Sequence, residues 1–434
     1  MSNLCVFNPL FKNTDFSKEE NYKTIIKSYF MHLWQLDNVI LLLGAGASKY
    51  LGGPLMKDLS ESILPPLIEK GYKEFGNSDF ITIWNDFWGM EQTYISDKNN
   101  INKYGKEYIS KINIETKLSE LKMLSYSFSV LKKNIQMDFV NYCIEKIKTE
   151  IIKNTSNFVP NIKSDPFKFA QFAESVRPLR DMLNRLIKLR RPNQPRIKIF
   201  TTNYDLVIET ACDIEGINCN NGFEGVNTKI FNPTNFDLNV SLKPLEHNIV
   251  YYPNYIYLYK LHGSINWSYV ELDGIKEIIL DDSPTFDYST VIYPCATKYS
   301  ETLEMPFGEM FRRFGDCVSQ SQTVIVTIGY GFMDEHVNQI LFRSLRNPST
   351  QLVIIDPSID FDNWSNHISP YIKKFIRATG YENSYKNGEP RICILGGERA
   401  KFPNVLEYIL PQEEYEDPLD KLKGLIRELT SLGG

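Results

Sequence analysis

Val39-Ile40-Leu41-Leu42-Leu43-Gly44-Ala45-Gly46-Ala47-Ser48 is the stretch on which the fold turns. Five apolar residues bounded by glycine read as a strand buried on both faces. The Gly-x-Gly behind it permits a tight turn and a close approach of the backbone to a ligand. From Lys49 a helix is expected to start, its first amides facing whatever lies over the loop and favouring a phosphate. The third glycine of the usual dinucleotide fingerprint is missing, since Ala47, Ser48 and Lys49 follow Gly46. A tight strand-to-helix turn in any α/β core gives the same pattern, so the loop gains meaning only from the strands that follow.

Those strands read alike. Ile197-Lys198-Ile199-Phe200 runs into Thr201-Thr202-Asn203-Tyr204-Asp205, and Tyr255–Lys260 runs into Leu261-His262-Gly263-Ser264. Thr323–Ile328 ends at Gly329-Tyr330-Gly331, Gln351–Ile355 ends at Asp356-Pro357, and Arg391–Gly396 adds one more. Near-continuous apolar runs ending in Gly, Asn, Asp or His predict an α/β, Rossmann-like, mostly parallel sheet with ligand-facing groups at the carboxyl ends of its strands.

Between the first strand and the second, Leu55 to Arg191 alone make about 140 mostly helical residues, against the dozen or so of an ordinary crossover. Glycine is sparse there, and Leu59, Ile63, Leu64, Leu67 and later Leu118, Leu121, Leu124 repeat at helical spacing. This predicts a helical insertion over about 55–195 within a main domain spanning 38–357. The insertion closes on Arg177, Arg180, Arg185, Lys188, Arg190 and Arg191 before Pro192 and Pro195. Cations in the last turns of a helix satisfy its dipole, and a surface for an acidic partner is the other reading.

Flanking the main domain are an N-terminal helical extension (1–37) and a C-terminal extension (358–434). Ser17-Lys18-Glu19-Glu20 has the form of a capping box. Behind it Tyr22, Ile25, Ile26, Tyr29, Phe30, Leu33 and Trp34 share one helical face, suited to core docking or to a subunit contact. Asp417-Pro418 opens a terminal amphipathic helix carrying Leu419, Leu422, Leu425, Ile426, Leu429 and Leu432.

Composition narrows the class. The chain has 434 residues, 42% of them apolar, enough for a sizeable core. A formal charge of −5 argues against direct nucleic-acid binding through bulk charge. The seven cysteines are scattered, with no Cys-x-x-Cys pair, so neither a zinc ribbon nor a disulfide framework is indicated and no metal is expected. No run approaches the roughly 20 apolar residues of a membrane span. A reduced, cytoplasmic, non-membrane protein is the expectation.

The chemistry gathers at strand ends. Asn203 and Asp205, two apart, project from the same side if the chain stays extended. Asparagine can hold a sugar hydroxyl or a water, and aspartate accepts from an amide. His262 before Gly263 is a candidate proton acceptor near neutral pH, although a lone histidine also serves purely structural hydrogen bonding.

In order along the chain, Gly44-Ala45-Gly46-Ala47-Ser48 with Gly53-Pro54, Thr201-Thr202-Asn203-Tyr204-Asp205 and Leu261-His262-Gly263-Ser264 resemble the sirtuin family. The matching parts run from about Val39 to Pro357, with the insertion in the place of that family's smaller domain. A closer resemblance is to sirtuin-like NAD-cleaving effectors of bacterial anti-phage defence. Ile112-Asn113-Ile114-Glu115 with Leu118-Ser119 is similar to a helix motif of that branch. Gly329-Tyr330-Gly331-Phe332-Met333-Asp334-Glu335-His336 is similar to its Gly-Tyr-x-x-x-Asp-x-His segment. The four-cysteine zinc module of the deacylating members is missing, which speaks against lysine deacylation.

The resemblance implies that NAD, as substrate, lies along the carboxyl edge of the sheet. Gly44, Ala45, Gly46, Ala47 and Ser48 would cradle the diphosphate, Pro54 would belong to the NAD-binding set, and Asp205 would meet the nicotinamide amide. Asn203 and His262 would flank the nicotinamide ribose as catalytic residues, with Gly263 beside them. Ser264, Gly329, Tyr330 and Asp356 would serve the adenosine half. The activity implied is an NAD+ glycohydrolase that depletes the cofactor during infection. A homo-oligomer, and in one close branch a HerA-like hexameric ATPase partner, is implied with it. Two other readings stay open: a deacylase or ADP-ribosyltransferase, and a catalytically silent NAD or ADP-ribose sensor. A dehydrogenase fits poorly, because the insertion and the Asn/Asp/His set have no role in hydride transfer. The roles of Asp334 and His336 are open at this level.

Overall fold

The computed structural model describes residues 4–8, 10, 19–75, 80–88, 112, 114–156, 158–160, 165–242, 250–272, 274–281, 305–359 and 391–411. Its strands are β1 (Cys5–Phe7), β2 (Asn38–Leu43), β3 (Ile197–Thr201), β4 (Asn218–Asn220), β5 (Phe223–Glu224), β6 (Ile230–Phe231), β7 (Ser241–Leu242), β8 (Val250–Tyr251), β9 (Tyr255–Lys260), β10 (Trp267–Leu272), β11 (Ile275–Leu280), β12 (Thr323–Ile328), β13 (Thr350–Ile355) and β14 (Ile392–Gly396). Its helices are α1 (Glu19–Trp34), α2 (Met56–Phe75), α3 (Phe80–Trp88), α4 (Ile114–Val130), α5 (Asn134–Ser156), α6 (Pro166–Ser175), α7 (Arg177–Lys188), α8 (Val207–Glu215), α9 (Phe307–Val318), α10 (Glu335–Ser344) and the single-turn α11 (Leu406–Ile409).

A strand with five successive apolar residues needs cover on both faces, and β2 receives it. Side chains alternate across a strand, so Val39, Leu41 and Leu43 enter one core while Ile40 and Leu42 enter the other. The sheet order is β1-β14-β13-β12-β2-β3-β9-β4, parallel throughout except for β1, which pairs antiparallel to β14. Leu41 stands level with Val326 of β12 on one side and Ile199 of β3 on the other. The chain leaves β2 toward β3, β9 and β4, then returns to its other side for β12, β13 and β14. The two halves diverge at β2, and such a switch point opens a crevice at the carboxyl ends of the strands. The mixed α/β, mostly parallel architecture is the one the apolar runs predict.

One sheet face is covered by α1, α7 and α8, the other by α9, α10 and a smaller antiparallel sheet of order β10-β11-β6-β5. That second sheet was not expected from the apolar runs. Its hairpin turns through Gly274, at φ +76°, following an aspartate in the sequence. Such a pair is the turn signal for two short strands.

Helices α2 to α5 form a core of their own, built on Trp84, Trp88, Phe139, Leu64, Leu121 and Ile147. Two residues from the sheet's carboxyl edge, Tyr204 and Ile265, are buried in that same core. The last helices of the stretch read as insertion behave differently. Leu179, Met182, Leu183, Leu186 and Ile187 of α7 pack on the sheet itself. The sheet likewise extends beyond 38–357, because β1 and β14 both belong to it.

The face of α1 docks on the core: Ile26, Phe30, Leu33 and Trp34 are buried, and Trp34 Nε1 donates to Ile409 O at 2.7 Å. The arginine-rich segment works internally. Arg180 pairs with Glu215, and Arg185 Nη1 donates to Pro411 O at 3.1 Å. Arg190 is buried and donates to Trp34 O (3.1 Å), Leu36 O (2.8 Å) and Asp37 O, tying α7 to the chain entering β2. Ser17, the helix after Asp417, Cys295 and Asn113 lie outside the described residues. Among those described, no helix is long and apolar enough to cross a membrane.

Arg190→Met leaves four carbonyls, those of Trp34, Leu36, Asp37 and Pro195, without their donor in a largely buried place. It is expected to lower unfolding free energy by about 2–4 kcal/mol, read by chemical denaturation. A change below about 0.5 kcal/mol would contradict the strut role.

Candidate functional site

The loop after β2 departs from expectation in an instructive way. No long helix begins at Lys49. Single 3₁₀ turns occupy Ala45–Ala47 and Lys49–Leu51, Gly52 takes φ +92°, and α2 starts only at Met56. The glycines have a packing reason. Gly44 N donates to Ile328 O and Gly46 N to Gly329 O, each at 3.0 Å. A Cβ on Gly44 would stand 2.5 Å from Gly329 O, and one on Gly46 2.7 Å from Gly329 Cα. Gly329, at φ +63°, would put its own Cβ 2.2 Å from Ala47 N. The loops after β2 and β12 therefore cross backbone against backbone.

Beside this crossing lies a cavity of about 720 Å³, inside the roughly 300–1,000 Å³ of small-molecule sites. Gly44, Ala45, Gly46, Ser48, Pro54, Asn203, Asp205, His262, Gly329, Tyr330 and Asp356 all line it. Ala47, Gly263 and Ser264 do not. Gly263, at φ +85°, makes the turn after β9, and the buried Ser264 Oγ donates to Tyr204 O at 3.4 Å. Met56, Leu59, Ile151 and Phe158 supply an apolar wall from the insertion side. Lys49, Lys57 and Lys401 also line the cavity, paired with Asp58, Glu61 and Glu398 respectively.

Asn203 and Asp205 do project together. Asn203 Nδ2 reaches Gly44 O (3.1 Å) and Ser48 Oγ (3.2 Å), and Ser48 Oγ donates to Asp205 Oδ2 (3.1 Å). Between them Tyr204 turns into the helical core. Thr201 Oγ1 sets the turn, donating to Leu43 O (2.9 Å) and accepting from Asn203 N (3.0 Å). Asp205 Oδ1 accepts from Val207 N at the start of α8 (3.1 Å). Burial pushes the Asp205 carboxyl above the usual carboxylate range, with nearby Lys260 and the Val207 hydrogen bond pulling the other way.

Lys260 is a residue that motif reading passes over. Fully buried at the end of β9, its Nζ donates to Tyr204 O (3.4 Å), Asp205 O and Glu209 Oε1 (2.9 Å). It clamps the turn that carries Asn203 and Asp205. The available signal is its charge inside an otherwise apolar strand.

His262 is not isolated. Its Nε2 lies 2.8 Å from Asp334 Oδ2, and both side chains are buried. Asp334 also caps α10, its Oδ1 accepting from His336 N (3.0 Å) and Val337 N (3.3 Å). His336 is half-buried, its ring edge-on to Phe311. Tyr330 lines the cavity, and its hydroxyl lies 3.2 Å from Asp334 O and 3.0 Å from Asn338 Oδ1. At the far end Asp356 Oδ1 accepts from Ser358 N (2.8 Å), and burial pushes this carboxyl up. Among the described residues, no group of three or more His, Cys, Asp or Glu is placed to hold a metal ion.

Residues 197–374 match the family model described as SIR2-like domain. The match covers less than half of the chain, starting at β3 and leaving out the Gly44 loop and the insertion. It supports a sirtuin-like family and an NAD-related activity. No curated protein matches the chain.

Asp205 gives a pH-dependent expectation. A carboxyl raised in the folded state binds its proton more tightly there than when unfolded. Its contribution is full below the ordinary carboxylate range and is lost as pH rises through the folded pKa. Asp205→Asn is therefore expected to raise Tm near pH 7 relative to wild type, with the gap closing toward pH 4. Thermal melts across that range check it; a variant less stable than wild type at pH 7 would contradict the assignment.

Proposed function

We propose that the chain is an NAD+ glycohydrolase, hydrolysing the bond between nicotinamide and ribose to give ADP-ribose and nicotinamide. One observation carries the reading. The polar groups of a single cavity are strung along the sheet edge from His262 after β9, through Asn203, Asp205 and the Gly44 loop, to Asp356 after β13. Those strands are four spacings apart, roughly 19 Å at about 4.8 Å per strand. Such a span suits an elongated ligand with a different polar group at each end, as a dinucleotide has. The SIR2-like match supports the same substrate.

The donor set fits the reaction. Nicotinamide leaves as a neutral molecule with the electron pair of the glycosidic bond, so positive charge develops on the ribose. Water supplies the oxygen that bonds the anomeric carbon, and one proton is released. Asn203, held by Gly44 O and Ser48 Oγ, is pre-oriented to fix a ribose hydroxyl or that water. Asp205 retains acceptor capacity beyond its two hydrogen bonds for the nicotinamide amide. His262 takes up the proton. The apolar wall excludes bulk water, which strengthens each of these interactions.

Incubation with NAD, with products resolved by mass spectrometry, is expected to yield ADP-ribose and nicotinamide. Asn203→Ala and His262→Ala are each expected to lower the rate at least a hundredfold while circular dichroism stays that of the wild type. Full activity in both variants would overturn the reading, and label appearing on a protein or peptide would replace hydrolysis by transfer.

The motif resemblance extends the proposal to NAD depletion in anti-phage defence, by a homo-oligomer working with a HerA-like hexameric ATPase. Co-expression followed by size analysis is expected to give a joint assembly, and free monomer alone would remove that partner.

A further inference from the structure

We propose that Asp334 is a positioning residue that fixes the tautomer of His262, making Nδ1 the nitrogen that exchanges a proton with the ligand. For its kinetic consequence this rests on the NAD-cleavage reading; for the ring itself it rests on geometry alone. Asp334 Oδ1 accepts two amide protons from the first turn of α10, which pins the carboxyl plane. Its other oxygen, Oδ2, then faces His262 Nε2 at 2.8 Å. Two backbone N–H donors at the first turn of a helix, converging on one buried carboxyl, suit its ionised, acceptor-only form. The ring nitrogen facing it must therefore carry the proton. With Nε2–H committed to Asp334, Nδ1 is the basic nitrogen of the neutral ring, the one at which a proton can be taken up. A proton taken up there leaves an imidazolium whose charge lies against the carboxylate, so the same contact stabilises the ring after transfer. This is the division of labour between an orienting carboxylate and a histidine base.

The double duty of Asp334 supplies an unusually clean test. Asparagine is as good a helix cap as aspartate. In Asp334→Asn the side-chain oxygen keeps the two amides of α10, which turns the NH₂ group toward His262. That group donates to Nε2, so the neutral ring must move its proton to Nδ1 and can no longer accept there. The fold is retained and the tautomer inverted. A purely structural role for Asp334 would not change the ring in this way.

The full-length protein, labelled with ¹⁵N-histidine, gives the readout. Five histidines make a short spectrum, and His262→Ala identifies the signals of His262. Wild type is expected to show the Nε2–H tautomer, and Asp334→Asn the Nδ1–H tautomer with a melting temperature within a few degrees of wild type. Turnover of NAD in Asp334→Asn is expected to fall at least a hundredfold with KM changed less than threefold. An Nδ1–H ring in wild type overturns the proposal without recourse to any variant. The same tautomer in both proteins overturns it too, as does an inverted tautomer with undiminished kcat. Should wild type release no nicotinamide, the proposed function fails, and the ring signals alone decide what Asp334 does.

Discussion

Two loops that leave neighbouring strands meet here without a side chain between them, and the cavity depends on that meeting. Gly46 N–H donates to Gly329 O, and neither Gly44, Gly46 nor Gly329 has room for a Cβ. The parallel register of β2 and β12 fixes how the two loops arrive, since Leu43 pairs with Ile328 one residue before each turn. A backbone floor of this kind is narrow and stiff. It leaves the side chains just beyond β3, β9 and β13 to supply the polar groups from either side.

Asn203, Asp205 and Asp334 are each held by something buried behind them. Ser48 joins Asn203 to Asp205, Lys260 grips the carbonyls of the same turn, and Asp334 is pinned by the start of α10. Taking charged groups out of water is costly unless each is paired and hydrogen-bonded. The fold meets that cost with ion pairs such as Lys260–Glu209 and with helix-start amides. Asp205 and Asp356 keep part of the penalty as carboxyls shifted upward by burial. Rigid placement at the expense of stability is the usual trade at a working site.

The sheet was legible in the sequence because each central strand is apolar on both faces, a pattern that needs no knowledge of partners. The polar residues at those strand ends were legible for the same reason: a parallel sheet delivers them to one edge. The edge strands β1 and β4 were not, being three residues each and made regular by their neighbours rather than by their own pattern. The glycines of the first loop were legible as a tight turn, but their cause was not, because Gly329 lies far along the chain. Lys260 escaped, and Asp334 was named in its segment without its contact to His262, for a related reason. Each looks ordinary locally, one as a strand lysine and the other as a helix cap, and acquires its role only from a contact across the fold. The start of α2 was misplaced because Gly52-Gly53-Pro54 breaks the turn that Lys49 begins.

Tyr204 carries a mechanical implication. It stands between the two residues that share Ser48, yet its ring is anchored among the helices of the insertion together with Ile265. Opening that helical core even partly would withdraw the ring and pull on the backbone of its two neighbours. By linkage, the reverse holds: whatever grips Asn203 and Asp205 raises the free energy of opening the helices. The insertion and the sheet edge are thus joined through the packing of Tyr204 and Ile265 in one helical core.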